Sequence, residues 1–246
     1  MSERAAIVTG PESGIGEAIA AELRAQGWYV LGIGLGKNAD ACDRYIQFDL
    51  RQCEQRDLFN SHCLNPAREA LGDRALGALV NNAAVQLLAP TRSIALDDWQ
   101  QSMAVNLTAP FLLSQAFADS LEASQGAIVN IGSVHAQATK PGFVSYATSK
   151  AALHGLTKAL AVDLGGAVRV CAIAPAAIAT DMLEAGFEGR ASERKQLDAF
   201  HPAGRIGKPQ EVAKVVAFLL QREMAFLTGS ILTLDGGILS RLHDPS

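Results

Sequence analysis

The chain has no long apolar run, no block of like charge and no linker rich in Pro, Gly or Ser. No uninterrupted stretch is long enough to span a bilayer, so no membrane helix is expected. No basic patch stands out and the formal charge is only −4, which argues against nucleic acid and anionic membranes as main partners. The opening residues MSERAAIVTG lack a charged segment followed by a long apolar one, so no signal peptide is read and a cytoplasmic location is expected. The four cysteines, Cys42, Cys53, Cys63 and Cys171, show no CxxC or Cys/His spacing, so no metal site is read and the thiols are expected free. Low-complexity tracts and internal repeats are also missing.

What the chain does have is apolar content. Of 246 residues, 49% are hydrophobic, enough for one large domain with a substantial core. Seven short apolar runs read as strands: AAIVTG, WYVLGIGL (28–35), YIQFD, LGALVNNAA (76–84), GAIVNIGS (126–133), VRVCAIAP (168–175) and SILTLDGG (230–237). Helical periodicity separates most of them. Ile15, Ala18, Ile19 and Leu23 share a face before the stop at Gly27, and further helices are read over about 52–70, 96–121, 146–164 and 209–221. Ser145 is the expected cap of the 146–164 helix. Strands that are apolar throughout and alternate with helices imply a parallel sheet covered on both faces. The expected fold is therefore α/β, a doubly wound, parallel, seven-stranded sheet in a single domain over 1–246.

Two short stretches carry chemistry. TGPESGIG (9–16) lies between the first strand and the first helix. Helix N-termini leave N–H groups unpaired and carry partial positive charge, and glycine lets a pyrophosphate come close to them. The glycine spacing is wider than GxGxxG, so a plain turn is the competing reading. YATSK (146–150) puts Tyr146 and Lys150 four residues apart on one helical face. An ammonium near a phenol favours the phenolate and lowers its pKa, which suits proton transfer; an ordinary surface pair is the alternative. Ser133 ends a strand just upstream, at the carboxyl end where α/β sheets put their ligands.

These stretches together resemble the short-chain dehydrogenase/reductase family, single-domain type, over essentially the whole chain. TGPESGIG matches its T-G-x-x-x-G-x-G loop, and Tyr146 and Lys150 its Y-x-x-x-K pair, with Ser133 thirteen residues before the tyrosine. NNAA (81–84) matches N-N-A-G with Ala84 in place of glycine. APAAIATDM (174–182) resembles P-G-x-[IV]-x-T with Ala176 in place of glycine, and Asp235-Gly236-Gly237 resembles V-D-G-G. The resemblance implies a Rossmann fold and an NAD(P)-dependent oxidoreductase that interconverts a secondary alcohol and a ketone. It makes Tyr146 the general acid/base, Lys150 its tuner and ribose ligand, Ser133 the orienter of the substrate oxygen, and Asn106 the holder of a relay water. Pro110, four residues after Asn106, has no N–H, which frees the Asn106 carbonyl for that water. Cofactor contacts are expected from Gly10, Ser13, Gly14, Ile15, Gly16, Asp49, Leu50, Asn82, Ala83, Tyr146, Lys150, Pro175, Ile178 and Thr180, with Asp49 facing adenine. A non-catalytic dinucleotide sensor and an isomerase or dehydratase on the same fold are the rival readings.

NAD is the expected cofactor and NADP the alternative. The ribose-discriminating place at the end of the second strand falls on Gly34, where an added Asp is expected to tighten NAD. Lys37 could reach a phosphate, whereas Glu12 in the glycine loop would repel one. Ser13 stands where many NADP-using relatives have Arg or Lys. The segment 177–207 is the expected substrate lid. Its Arg190, Arg194, Lys195 and Arg205 permit a small polar or anionic substrate and equally fit a solvated loop. Gln86 and His135 fall where the family's 3-hydroxyacid dehydrogenases place substrate-binding side chains. Two long helices, apolar on more than one face, predict a homo-oligomer, a tetramer by resemblance.

Overall fold

The computed structural model describes residues 3–242, with Met182 described through its backbone only. Among these residues the strands are β1 (Arg4–Thr9), β2 (Tyr29–Gly34), β3 (Arg44–Gln47), β4 (Ala75–Asn81), β5 (Ala127–Ile131), β6 (Arg169–Pro175) and β7 (Ile231–Leu234). They form one sheet in the order β3-β2-β1-β4-β5-β6-β7, every neighbouring pair parallel. The helices are α1 (Gly14–Ala25), α2 (Arg56–Phe59), α3 (Asn65–Leu71), α4 (Leu96–Met103), α5 (Ala109–Ser124), α6 (Val144–Asp163), α7 (Asp181–Ala185), α8 (Ala191–Phe200) and α9 (Pro209–Leu219). The strand order reverses between β1 and β4. In open α/β sheets a crevice for ligands opens there, outside the carboxyl ends of the strands.

The pleat sends alternate residues to opposite faces, and each face is buried under helices. Ile7, Leu31, Leu79 and Ile128 pack on one side with Phe59, Ala67, Leu113, Phe117 and Leu160. Ala6, Val8, Val80 and Val129 pack on the other with Ile19 and Leu23 of α1 and Val212 and Val216 of α9. Two buried faces explain why the strands read as continuous apolar runs.

Three local expectations change. Ser145 does not cap α6: the helix starts at Val144, and the Ser145 hydroxyl donates instead to the Leu87 carbonyl at 3.0 Å. The helices expected over 52–70 and 96–121 are each interrupted by a π turn, at Asn60–Leu64 and Ala104–Thr108. Each π turn comes just before a proline, Pro66 or Pro110. A proline lacks the N–H of the i→i−4 ladder and its ring crowds the preceding turn, and a π bulge absorbs both.

Candidate active site

The glycine loop joins β1 to α1 at the switch point. Gly10 has φ +63°, a left-handed conformation that glycine tolerates best. At Gly16 a side chain is excluded by proximity: a Cβ there would lie 1.9 Å from the Gly10 carbonyl oxygen. The loop is tied to the end of β4. Thr9 Oγ1 accepts from the N–H groups of Asn82 and Ala83, both at 2.9 Å. Asn82 Nδ2 donates back to the carbonyls of Thr9 and Gly10 at 2.9 and 3.0 Å. Ser13 caps α1 through its backbone, and its hydroxyl makes no capping bond.

A cavity of about 390 Å³ opens over this loop. Gly10, Ser13, Gly14, Ile15 and Gly16 form its floor, and Asp49 and Leu50 flank one end. Asn82, Ala83, Ala84 and Gln86 line its middle, and Tyr146 and Thr180 close the other end. Pro175 ends β6 nearby, while the Ile178 side chain packs into the core beneath. Asp49 is heavily engaged. Its carboxylate takes Arg51 Nε at 2.9–3.0 Å, Arg51 Nη2 at 2.6 Å and the Arg51 N–H at 3.0 Å, which hold its pKa below the usual carboxylate range. A pyrophosphate suits this floor, because unpaired N–H groups at a helix N-terminus are ready anion ligands.

Tyr146 is the third residue of α6, in its first turn, and Ser133 follows β5. The Ser133 hydroxyl beside the phenol lowers the tyrosine pKa, but burial outweighs it and the net shift is upward. The expected lowering by Lys150 is not found. Lys150 Nζ donates to the Ile131 carbonyl at 2.7 Å and stands 5.7 Å from the centroid of the Tyr146 ring. Lys150 is 2% exposed, and burial pulls its pKa down to about 8. Asn106 sits fully buried in the π turn. Its side chain clasps Val85, accepting from the N–H at 2.9 Å and donating to the carbonyl at 3.0 Å, and also donates to Ser149 Oγ at 2.9 Å.

His135 stacks on Phe143 at 4.4 Å between centroids and meets the edge of Tyr146 at 5.8 Å. Its Nδ1 pairs with Thr139 Oγ1 at 3.0 Å, and burial, with Lys140 nearby, pushes its pKa down to about 4. Two groups near the site escaped sequence reading. Ser149 braces Asn106. His154, four residues beyond Lys150, presses its Nε2 against Gly132 without a hydrogen-bond partner among the described residues. Glu12, read in the sequence only as a residue that would repel a phosphate, closes over the end of β2 at Gly34. A Cβ at Gly34 would lie 1.9 Å from Glu12 Oε1, so an aspartate there meets a carboxylate already in place rather than open space.

The segment after β6 is stitched at its ends. Ala179 N–H donates to the Gly207 carbonyl and Gly207 N–H to the Ala177 carbonyl, both at 2.9 Å. Its arginines are paired: Arg190 with Glu193, Arg194 with Glu184 and Asp198, and Arg205 with Glu211. All four cysteines are free thiols, and among the described residues no group of three His, Cys, Asp or Glu could hold a metal.

A family model described as enoyl-(acyl carrier protein) reductase, one of the models of the short-chain dehydrogenases, matches residues 10–239. The chain belongs to the short-chain dehydrogenase/reductase family. D-threitol dehydrogenase of Mycolicibacterium smegmatis is 34% identical over 242 residues, covering 95% of this chain and 92% of that protein. Among solved structures, a putative NAD(P)-dependent gluconate 5-dehydrogenase from Beutenbergia cavernae with bound NADP superposes with TM-score 0.86 at 31% identity, over 98% of each chain. A 4-hydroxyisoleucine dehydrogenase complexed with NADH also gives TM-score 0.86, at 28% identity, covering 98% of this chain and 100% of that one. Similar structures thus hold either nucleotide.

Proposed function

We propose that this protein transfers a hydride between a nicotinamide dinucleotide and a secondary alcohol or ketone. The observation that carries the reading is a single cavity that runs from the glycine loop to Tyr146, with the Ser133 hydroxyl beside the phenol. Family membership and the dehydrogenases it resembles support it. The loop residues 10–16 would hold the pyrophosphate, Asp49 and Leu50 would border the adenine, and Pro175, Ile178 and Thr180 would flank the nicotinamide. When bound, the dinucleotide supplies or accepts the hydride.

The protein's own part is proton handling and orientation. In reduction Tyr146 gives its phenolic proton to the substrate oxygen, and in oxidation it takes that proton back. Ser133 orients the same oxygen. Lys150 sits behind the tyrosine, where its ammonium would bind the ribose hydroxyls. The Asn106 carbonyl, facing a proline with no N–H, would hold the relay water.

The substrate reading is a small, uncharged polar alcohol. Gln86 lines the cavity, and His135 is neutral at physiological pH, so both offer hydrogen bonds rather than charge. The lid arginines over 177–207 are spent on carboxylates within the lid or beside it, which leaves them poor partners for an anionic substrate. The whole chain serves as one catalytic domain. It works in the cytoplasm; no helix among the described residues is long and apolar enough to cross a membrane. A homotetramer is the proposed assembly, since α4, α5 and α6 leave Leu96, Phe111 and Val162 at 70%, 40% and 83% exposure. Light scattering at micromolar protein tests that, and a monomeric mass contradicts it. A panel of secondary alcohols and polyols, and their ketones, with each nucleotide tests the activity through reduced-nicotinamide absorbance.

A further inference from the structure

The end of β2 lacks an acidic side chain, yet a carboxylate stands there. The volume that a side chain on Gly34 would fill is taken by Glu12 from the glycine loop: an added Cβ would lie 1.9 Å from its Oε1, 2.6 Å from its Cδ and 2.7 Å from its Oε2. We propose that Glu12, positioned by Tyr45 and Gly36, makes this site select NAD over NADP. The proposal rests on the dinucleotide reading above and adds which adenosine ribose the site accepts.

The carboxylate is held in place on one side. Gly36 N–H donates to Oε1 at 2.9 Å, and the Tyr45 hydroxyl donates to the same oxygen at 2.5 Å. That hydroxyl is also 3.1 Å from the Gly36 carbonyl, so strand β3, the turn after β2 and the glycine loop meet at one point. Among the described residues Oε2 receives no hydrogen bond, and Glu12 lines the cavity with Gly34, Leu35 and Asp49. A partly buried carboxylate with one bonded and one open oxygen is an acceptor for a ribose hydroxyl. A 2′-phosphate at the same place brings like charge against it. The cavity offers that phosphate little in return. Arg51 lines it, but its guanidinium is bound to Asp49, and Lys37 is not among the lining residues. The loop thus supplies from β1 the charge that a strand residue at 34 would otherwise carry, and glycine at 34 is what lets it in.

Titration of NADH and NADPH by fluorescence, on the wild type and four variants, tests this. The wild type should bind NADH at least about tenfold more tightly, as expected for a charged hydrogen bond. Glu12→Gln should tighten NADPH by about tenfold and shrink the preference. Tyr45→Phe should also shrink it, whereas a merely structural tyrosine would weaken both nucleotides alike and leave the ratio unchanged. Glu12→Ala should abolish the preference, and adding Gly34→Asp to that variant should restore it, because the second change returns a carboxylate to the vacated volume. A ratio unchanged within twofold in both Glu12 variants, with both nucleotides still bound, overturns the role of Glu12 and leaves the dehydrogenase reading standing. Wild type that binds neither nucleotide at millimolar concentration overturns the dehydrogenase reading itself.

Discussion

Lys150 Nζ donates to the carbonyl oxygen of Ile131 at 2.7 Å, joining α6 to the last residue of β5. Ile131 pairs in register with Ile173 on β6, and the lysine binds the point where β5 ends. This bond keeps the ammonium behind the Tyr146 ring. It also holds the ammonium where burial pulls its pKa down to about 8.

The buried lysine makes stability depend on pH in a defined sense. Between pH 8 and about 10.5 the unfolded chain holds a proton on this amine that the folded chain has lost, so this group adds stability as pH rises. Below pH 8 the folded protein pays the full desolvation penalty, on the order of 3 kcal/mol at most. Lys150→Met should therefore be more stable than wild type at pH 7 in denaturant melts without nucleotide. The lost bond to Ile131 trims the gain by about 1 kcal/mol. The advantage should fade above pH 10. A variant less stable at pH 7 than at pH 10, relative to wild type, contradicts this assignment.

Asn106 closes a bond set that nothing else can supply. Asn106→Leu would strip the Val85 N–H and carbonyl of their side-chain partner and take one donor from Ser149 Oγ, which keeps its bond to the Tyr146 carbonyl, at a cost of about 1–3 kcal/mol. A drop in unfolding free energy of that size or more is expected, together with a loss of turnover. Full stability in the variant would mean that water replaces the amide without penalty.

Gly16→Ala should open the glycine loop. The new Cβ would sit 1.9 Å from the Gly10 carbonyl oxygen, a contact relieved only by moving backbone, and 2.6 Å from Asn82 Nδ2. Overpacking of this kind costs about 1–3 kcal/mol. NADH affinity should fall by about tenfold or more, since the shifted N–H groups no longer converge on the pyrophosphate. Unchanged affinity in a folded variant would place the nucleotide elsewhere.

Much of this architecture is legible in the sequence, for a physical reason. Strands buried on both faces must be apolar throughout, so β1, β4 and β5 stand out as runs, and α1 shows its single face through Ile19 and Leu23. The family's motif residues fall where strands end because that is where a parallel sheet leaves its crevice. Legibility stops where a contact joins distant segments. The Glu12 carboxylate over Gly34 depends on how the loop folds across the end of β2, and neither residue announces the other. The π turns before Pro66 and Pro110 shift hydrogen bonds by one residue, too little to disturb the hydrophobic period. Ser145 has a good capping side chain, but a bond to Leu87 in the tertiary structure outcompeted the local role.

The central claim is that Tyr146 handles the proton in a hydride transfer. It is tested most directly by turnover of Tyr146→Phe, with a substrate found on the alcohol and ketone panel, alongside NADH binding to the same variant. Loss of the hydroxyl with the ring retained should lower turnover by about 10²–10⁴-fold and leave NADH affinity within about twofold. A variant that keeps more than about half of wild-type turnover contradicts the account, because some other group would then be moving the proton.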